Sequence, residues 1–373
     1  MNIHLKNTWK NIKAIGFGIL TGLILCEIIL RIYNPFPFAV KKGRLILPAN
    51  QDKIFTNNWI QKLDHKIHYS RNSLGFRGPE LPDSISKLLS VITIGGSTTE
   101  CKFQSDSITW SFLLYQALKS QNDRVWLNNA GIDGHSTFGH LLLLKEYVLK
   151  LKPKFAVFLT GINDEEITAP DEFDLMTEKK IRAGSFKGFV KSILNHTELG
   201  RTAFNFYHVQ VAYKKGLIHR QVDIQDLIDN PIPDSIIALR LKEQDPFIAA
   251  YRNRIDSIIR LCQSNGIEPI LVTQPSLFGD YIDSAMRISM GTKWIRNEGT
   301  RSNSGLEDRK LERYNDVLRS YAAHLTVVDL AREMPKNSTY FYDFIHYTNA
   351  GAKKIAEILS RDLAPVILNK TTK

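Results

Sequence analysis

Cysteine is scarce: Cys26, Cys101 and Cys262 are the three in 373 residues, and they form no CxxC pair or other ligand-spaced set. That spacing argues against a disulfide framework and against a cysteine zinc site. Neither a Walker A lysine motif nor a G-x-G-x-x-G occurs, so the chain lacks the common loops that cradle a nucleotide phosphate. No zinc-finger spacing or RNP-type aromatic motif accompanies the positive charge, and nucleic acid is not an expected partner. Long uncharged runs are missing too. The apolar run at 14–26 is shorter than the roughly 20 residues that span a bilayer. No small-x-small cleavage site follows it, and Leu25 sits where a small residue would precede a lipidated cysteine.

What is present describes a globular chain, 43% hydrophobic and 23% charged, long enough for one large domain or two smaller ones. Forty-nine Lys and Arg against 38 Asp and Glu leave a net charge of +11, which suits an anionic surface or substrate. Taken through Glu27 to Tyr33, the N-terminal apolar segment becomes long enough to cross a membrane. Glu27 and Arg31, spaced i,i+4, can pair on one helix face there. The expectation is an uncleaved membrane anchor over 1–33, with a signal peptide or an amphipathic surface helix as its rivals. Lysines flank the span on both sides and do not fix its orientation, but a short tail ahead of a large domain favours that domain outside the cytoplasm.

Residues 34–87 hold Pro35, Pro37, Pro48, Pro79 and Pro82 and lack sustained helical periodicity, which reads as a stalk or linker. From 88 to about 365 strands and helices alternate. Nearly unbroken apolar runs predict strands over 89–94, 124–128, 155–160, 269–273 and 325–330, and helices over 109–119, 137–150, 246–263, 307–322 and 349–362. Such runs fit a parallel sheet covered on both faces, a three-layer αβα fold that binds its ligands at the carboxyl ends of the strands. A basic, aromatic insert at about 165–244 interrupts the alternation. It reads either as a lid over an anionic substrate or membrane, or as a solvated helical excursion.

Four segments follow predicted strands and converge on one crevice. The first is Gly95-Gly96-Ser97, a turn that can expose a nucleophile, although serine there also caps helices. Asn128-Asn129-Ala130-Gly131-Ile132-Asp133-Gly134 follows the second strand and Gly161-Ile162-Asn163-Asp164 the third. Asp343-Phe344-Ile345-His346 precedes the last helix. Ester cleavage needs a hydroxyl, a base, a group that orients the base, and donors for the developing oxyanion. Ser97, His346 and Asp343 are the candidates for the first three roles, and the Gly134 N–H and the Asn163 amide are candidate donors. Asp343 as a helix cap, Asn163 as a turn cap and Gly134 as a turn glycine are the alternatives. Asp343 and His346 as metal ligands lack further ligands positioned with them, so no metal is expected. His135, beside Gly134, can line the pocket.

At these four blocks the chain resembles the SGNH/GDSL hydrolases, over about residues 88–365 apart from the insert. The family's Ser, Gly, Asn and His correspond here to Ser97, Gly134, Asn163 and His346, in the family's order. The resemblance implies a flavodoxin-like five-stranded parallel sheet of order 2-1-3-4-5. It also implies a Ser97, Asp343, His346 triad and an oxyanion hole formed by Ser97, Gly134 and Asn163, with no cofactor. Gly96 departs from the family by standing where the Gly-Asp-Ser block has aspartate. Gly-Gly-Ser-Thr-Thr, together with Asn72-Ser-Leu-Gly-Phe-Arg-Gly78, resembles a bacterial membrane-anchored branch. The expected activity is hydrolysis of an acyl ester on an envelope polysaccharide, glycolipid or lipid. An O-acyltransferase using the same residues and a non-catalytic binding module are the alternatives.

Overall fold

Every residue of Leu89–Gly95 and of Phe155–Thr160 is buried, as strands covered on both faces must be. The computed structural model describes residues 2–33, 40–41, 44–45, 47–169, 197–200, 202, 219–296 and 301–369. Two compact units divide the chain, one of Met1–Ile46 with Thr177–His219, the other of Leu47–Met176 with Arg220–Lys373.

In the larger unit five parallel strands form one sheet: Leu89–Gly95, Val125–Asn129, Phe155–Thr160, Glu268–Thr273 and Val327–Val328. Their spatial order is 2-1-3-4-5 in chain numbering. The first strand is central, pairing Val91 with Leu127 on one side and Val91 with Phe155 on the other. Helices Trp110–Lys119, Thr137–Leu143, Asp245–Ser264, Ser304–Arg319 and Asn349–Leu368 intervene between the strands or follow them. Their buried faces, including Trp110, Leu114, Ile255, Tyr314, Ile355 and Leu359, close over the sheet. This is the flavodoxin-like αβα fold the sequence implies.

The fifth strand is shorter than expected, two residues instead of 325–330. It is an edge strand with one neighbour, and Asp329 at its end turns away to accept from Thr273 Oγ1 at 3.0 Å and Arg319 Nε at 2.8 Å. The last helix runs past 362 to Leu368, because Leu363 and Ile367 keep its buried face four residues apart.

The predicted stalk needs correction. From Leu47 onward that stretch belongs to the larger unit. Gln51–Thr56 and Lys66–Arg71 form an antiparallel pair, and Ile60, Ile67 and Phe76 are fully buried. Its buried polar side chains find partners elsewhere in the unit, as in Arg71 Nη2 to Glu100 Oε1 and Asn72 Nδ2 to Asn128 Oδ1, both at 2.7 Å, so its Pro and Gly content reflects tight turns rather than a linker.

Within the smaller unit, a helix covers Asn2–Ile32, and Lys13–Ile32 is long and apolar enough to cross a membrane or to act as a signal sequence. Arg31 Nε lies 2.7 Å from Glu27 Oε1, the i,i+4 pair expected from the sequence. Of the insert, 170–196, 201 and 203–218 lie outside the described residues, and so do the basic and aromatic side chains behind the lid reading apart from Arg220, which is exposed. Its described later part carries the short strand Ile228–Asp229, paired with Lys293–Trp294, and the helix Asp234–Glu243.

Candidate active site

Ser97 begins a four-residue helix, Ser97–Glu100, directly after the central strand. The turn is tight because the N–H groups of Thr99 and Glu100 both donate to the Gly96 carbonyl, at 3.0 and 2.9 Å. Trp110, fully buried beneath it, donates from Nε1 to the Thr98 carbonyl at 2.9 Å. The serine is held at the carboxyl edge of the sheet, where the fold places ligands.

His346 comes to it from the opposite end of the sequence. Its Nε2 lies 2.8 Å from Ser97 Oγ, and its Nδ1 lies 2.7 Å from Asp343 Oδ2. Asp343 Oδ1 accepts the backbone N–H groups of Ile345 and His346, at 2.8 and 2.7 Å, so the carboxylate cannot rotate away from the imidazole. Burial pushes the Asp343 carboxyl up, but the His346 charge and these hydrogen bonds outweigh it and hold the group below the usual carboxylate range. A permanently ionised partner at Nδ1 puts the proton there and leaves Nε2 free to accept from the serine. The Tyr342 ring stacks on the imidazole at 5.4 Å and 8°, fixing its plane.

The oxyanion candidates gather on the same side. Asn163 follows the third strand and donates from Nδ2 to the His135 carbonyl at 3.0 Å. An amide nitrogen carries two hydrogens, so this bond orients the group and leaves the second N–H for a ligand. Gly134 has φ +73°, a backbone that favours glycine. The turn before it is built by Asn129, which donates to the Thr99 carbonyl at 2.6 Å and accepts from the Gly131 N–H at 2.8 Å. A Cβ on Gly96 would fall 2.2 Å from Asn163 Nδ2 and 3.1 Å from the His135 carbonyl. The amide therefore occupies the space that an aspartate side chain at position 96 would enter.

His135 is not among the residues that line the cleft beside Ser97 and His346. Both it and His140 are buried, with ring centroids 6.4 Å apart, and desolvation pushes them down to about 4 and about 3. The structure also gives supporting roles to residues that the sequence reading leaves without one. Asp164 is fully buried; it accepts from the Thr137 N–H and hydroxyl and from Arg254 Nη2 at 3.1 Å. Lys62 donates from Nζ to the carbonyls of Ser338 and Phe341, at 3.0 and 3.1 Å, bracing the loop that leads to Asp343. Arg77 donates to the carbonyls of Glu100, Cys101 and Gln104 just behind the nucleophile helix. The segment Asn72-Ser-Leu-Gly-Phe-Arg-Gly78 is the one sequence signal that points toward this support.

A small cleft beside Ser97 and His346, of about 10 Å³, is lined by Thr98, Cys101, Phe103, Gln104, Tyr342 and Tyr347. Among the described residues, no group of three or more His, Cys, Asp or Glu side chains could hold a metal ion.

The model of the GDSL-like lipase/acylhydrolase family matches residues 93–354. No curated protein matches the chain. Among solved structures, the chain is similar to the lipase/acylhydrolase from Enterococcus faecalis (17% identity, 74% of this chain and 96% of that one, TM-score 0.39). It is also similar to a catalytic mutant of Axe2, an acetylxylan esterase from Geobacillus stearothermophilus (14% identity, 74% and 93%, TM-score 0.41). A third is LAE5, an alpha/beta hydrolase enzyme from the metagenome of Lake Arreo (16% identity, 75% and 96%, TM-score 0.41). With the family model spanning the sheet from its first strand to the last helix, the chain belongs to the GDSL-like lipase/acylhydrolase family and is a hydrolase of ester bonds.

Proposed function

We propose that this protein is a serine esterase that removes a short acyl group, acetyl above all, from an envelope polysaccharide, glycolipid or lipid. The observation that carries this reading is His346 bridging Ser97 Oγ and Asp343 Oδ2 at 2.8 and 2.7 Å. Ser97 Oγ attacks the ester carbonyl carbon while its proton passes to His346 Nε2. The negative charge that builds on the carbonyl oxygen is met by the Ser97 and Gly134 N–H groups and the Asn163 amide. Collapse of this intermediate breaks the ester bond, and the departing alcohol takes the proton from Nε2. Water then attacks the acyl-serine, giving its proton to Nε2, and the acid leaves as Ser97 recovers the proton. Asp343 stays ionised throughout and stabilises the imidazolium.

A volume of about 10 Å³ beside the nucleophile is on the scale of one water molecule, which supports a small acyl group over a long chain. The apolar helix Lys13–Ile32 supports a membrane-anchored enzyme, and a short tail ahead of a large domain favours a catalytic domain outside the cytoplasm. The test is a series of p-nitrophenyl esters of increasing acyl length, with kcat/KM highest for acetyl and at least about tenfold lower for hexanoyl, as a poor fit of the longer chain to a small cleft requires. Equal or rising kcat/KM with chain length contradicts the short-acyl reading.

A further inference from the structure

Glu100 ends the short helix that Ser97 begins, and its side chain is buried, 5% exposed. A buried carboxylate is costly unless it is paired and hydrogen-bonded. Here Oε1 accepts from Arg71 Nη2 at 2.7 Å and from the Tyr69 hydroxyl at 2.8 Å, while Arg71 also donates to Tyr69 Oη and to the Gly75 carbonyl. Burial pushes the Glu100 carboxyl up, but Arg71 leads the interactions that bring it below the usual range. The other oxygen, Oε2, accepts the backbone N–H of Asp133 at 2.7 Å.

That last bond joins the nucleophile helix to the loop carrying Gly134. Asp133 precedes Gly134 directly, and the far side of the same loop is pinned where Asn163 meets the His135 carbonyl and Asp164 meets the Thr137 N–H. Gly131 rests on the helix itself: a Cβ there would lie 2.4 Å from the Glu100 nitrogen. Gly134 is thus suspended between two buried carboxylates, each tied to a buried arginine. An apolar pair of similar volume would serve stability as well as Arg71 and Glu100 do, or better. A directional acceptor aimed at one peptide N–H is what an apolar pair could not supply.

We infer that Glu100, oriented by Arg71 and Tyr69, is a positioning residue that fixes the Gly134 N–H relative to Ser97 Oγ and so shapes the oxyanion site. The inference rests on the esterase reading above. Glutamine at 100 keeps the size but loses the charge, and its amide can turn its NH2 group toward the Asp133 N–H. Misplacement of one oxyanion donor is felt in the transition state more than in substrate binding.

The experiment uses the full-length protein as wild type, Glu100→Gln, Arg71→Met, the double variant, and Tyr69→Phe. Three quantities are read: the thermal midpoint, kcat and KM on p-nitrophenyl acetate, and the rate at which a fluorophosphonate labels Ser97. Glu100→Gln is expected to lower kcat and the labelling rate by about 10- to 100-fold with KM within about twofold. The double variant, free of an unpaired buried charge, regains the midpoint lost by the single variants but not kcat. Tyr69→Phe leaves both charges in place and covers the case in which the charged variants do not fold, with kcat expected to fall by about threefold or more. Recovery of kcat together with the midpoint in the double variant overturns the inference, as does wild-type kcat in Glu100→Gln or in Tyr69→Phe. A wild type that neither turns over the ester nor labels at Ser97 overturns the esterase reading, and the inference with it.

Discussion

Gly96 and Asn163 share a space with room for one side chain: a Cβ at 96 would stand 2.2 Å from the Asn163 amide nitrogen. The nearest atom is the tip of a flexible side chain, which can yield, and the His135 backbone carbonyl at 3.1 Å must give by a few tenths of an ångström. Gly96→Ala is therefore expected to lower the thermal midpoint only modestly while displacing an oxyanion donor, lowering kcat on p-nitrophenyl acetate by roughly 10²-fold. Steady-state kinetics beside a melting curve checks this. Loss of fold without selective loss of kcat would contradict the assigned role of the Asn163 amide.

Replacing Asp343 by Asn tests the orientation of the imidazole. The N–H groups of Ile345 and His346 require an acceptor where Oδ1 now sits, so the new amide oxygen stays there and its NH2 faces His346 Nδ1. Nδ1 must then accept, and the ring proton moves to Nε2, facing Ser97. The wrong tautomer is expected to lower kcat by about 10³- to 10⁴-fold with little change in stability. A drop of less than about tenfold would remove Asp343 from the mechanism.

Acid should destabilise the protein through His135 and His140. Both are buried neutral, pushed from the ordinary 6.5 to about 4 and about 3 by desolvation first. Between those values and 6.5 the unfolded chain binds more protons than the folded one, so stability rises with pH there. Their contribution is complete above 6.5 and is lost as pH falls through the two folded values, on the order of a few kcal/mol each. Thermal midpoints of wild type and His140→Leu, followed from about pH 7 to about pH 4, should give a shallower slope for the variant. Parallel slopes would show that His140 titrates alike in both states.

The sheet is legible in the sequence because its strands are nearly unbroken apolar runs with both faces buried. Four of the five fall within a residue or so of where hydrophobicity alone puts them. The edge strand Val327–Val328 is cut short by Asp329, whose bonds to Thr273 and Arg319 arise from tertiary packing. The meeting of Ser97, Asp343 and His346 is legible because Ser97 follows the central strand while Asp343 and His346, three residues apart, sit in one block just before the last helix. The segment from Leu47 to Lys87 is misread as a stalk. Prolines and glycines dominate its local pattern, while Arg71, Asn72 and Arg77 are buried through partners up to 56 residues away, as in Asn72 Nδ2 to Asn128 Oδ1 at 2.7 Å. Glu100 is overlooked for the same reason. Three residues after a serine it looks like an ordinary first-turn acid, and nothing nearby in the chain reveals Arg71 or the Asp133 N–H.

The central claim is that Ser97 is the nucleophile. Purified wild type and Ser97→Ala should be compared for p-nitrophenyl acetate turnover and for covalent labelling by a fluorophosphonate located by peptide mass spectrometry. The account predicts a label on Ser97 in the wild type, none at position 97 in the variant, and turnover lower by about three orders of magnitude or more. Wild-type turnover by Ser97→Ala, or a label on another residue that abolishes activity, would contradict it.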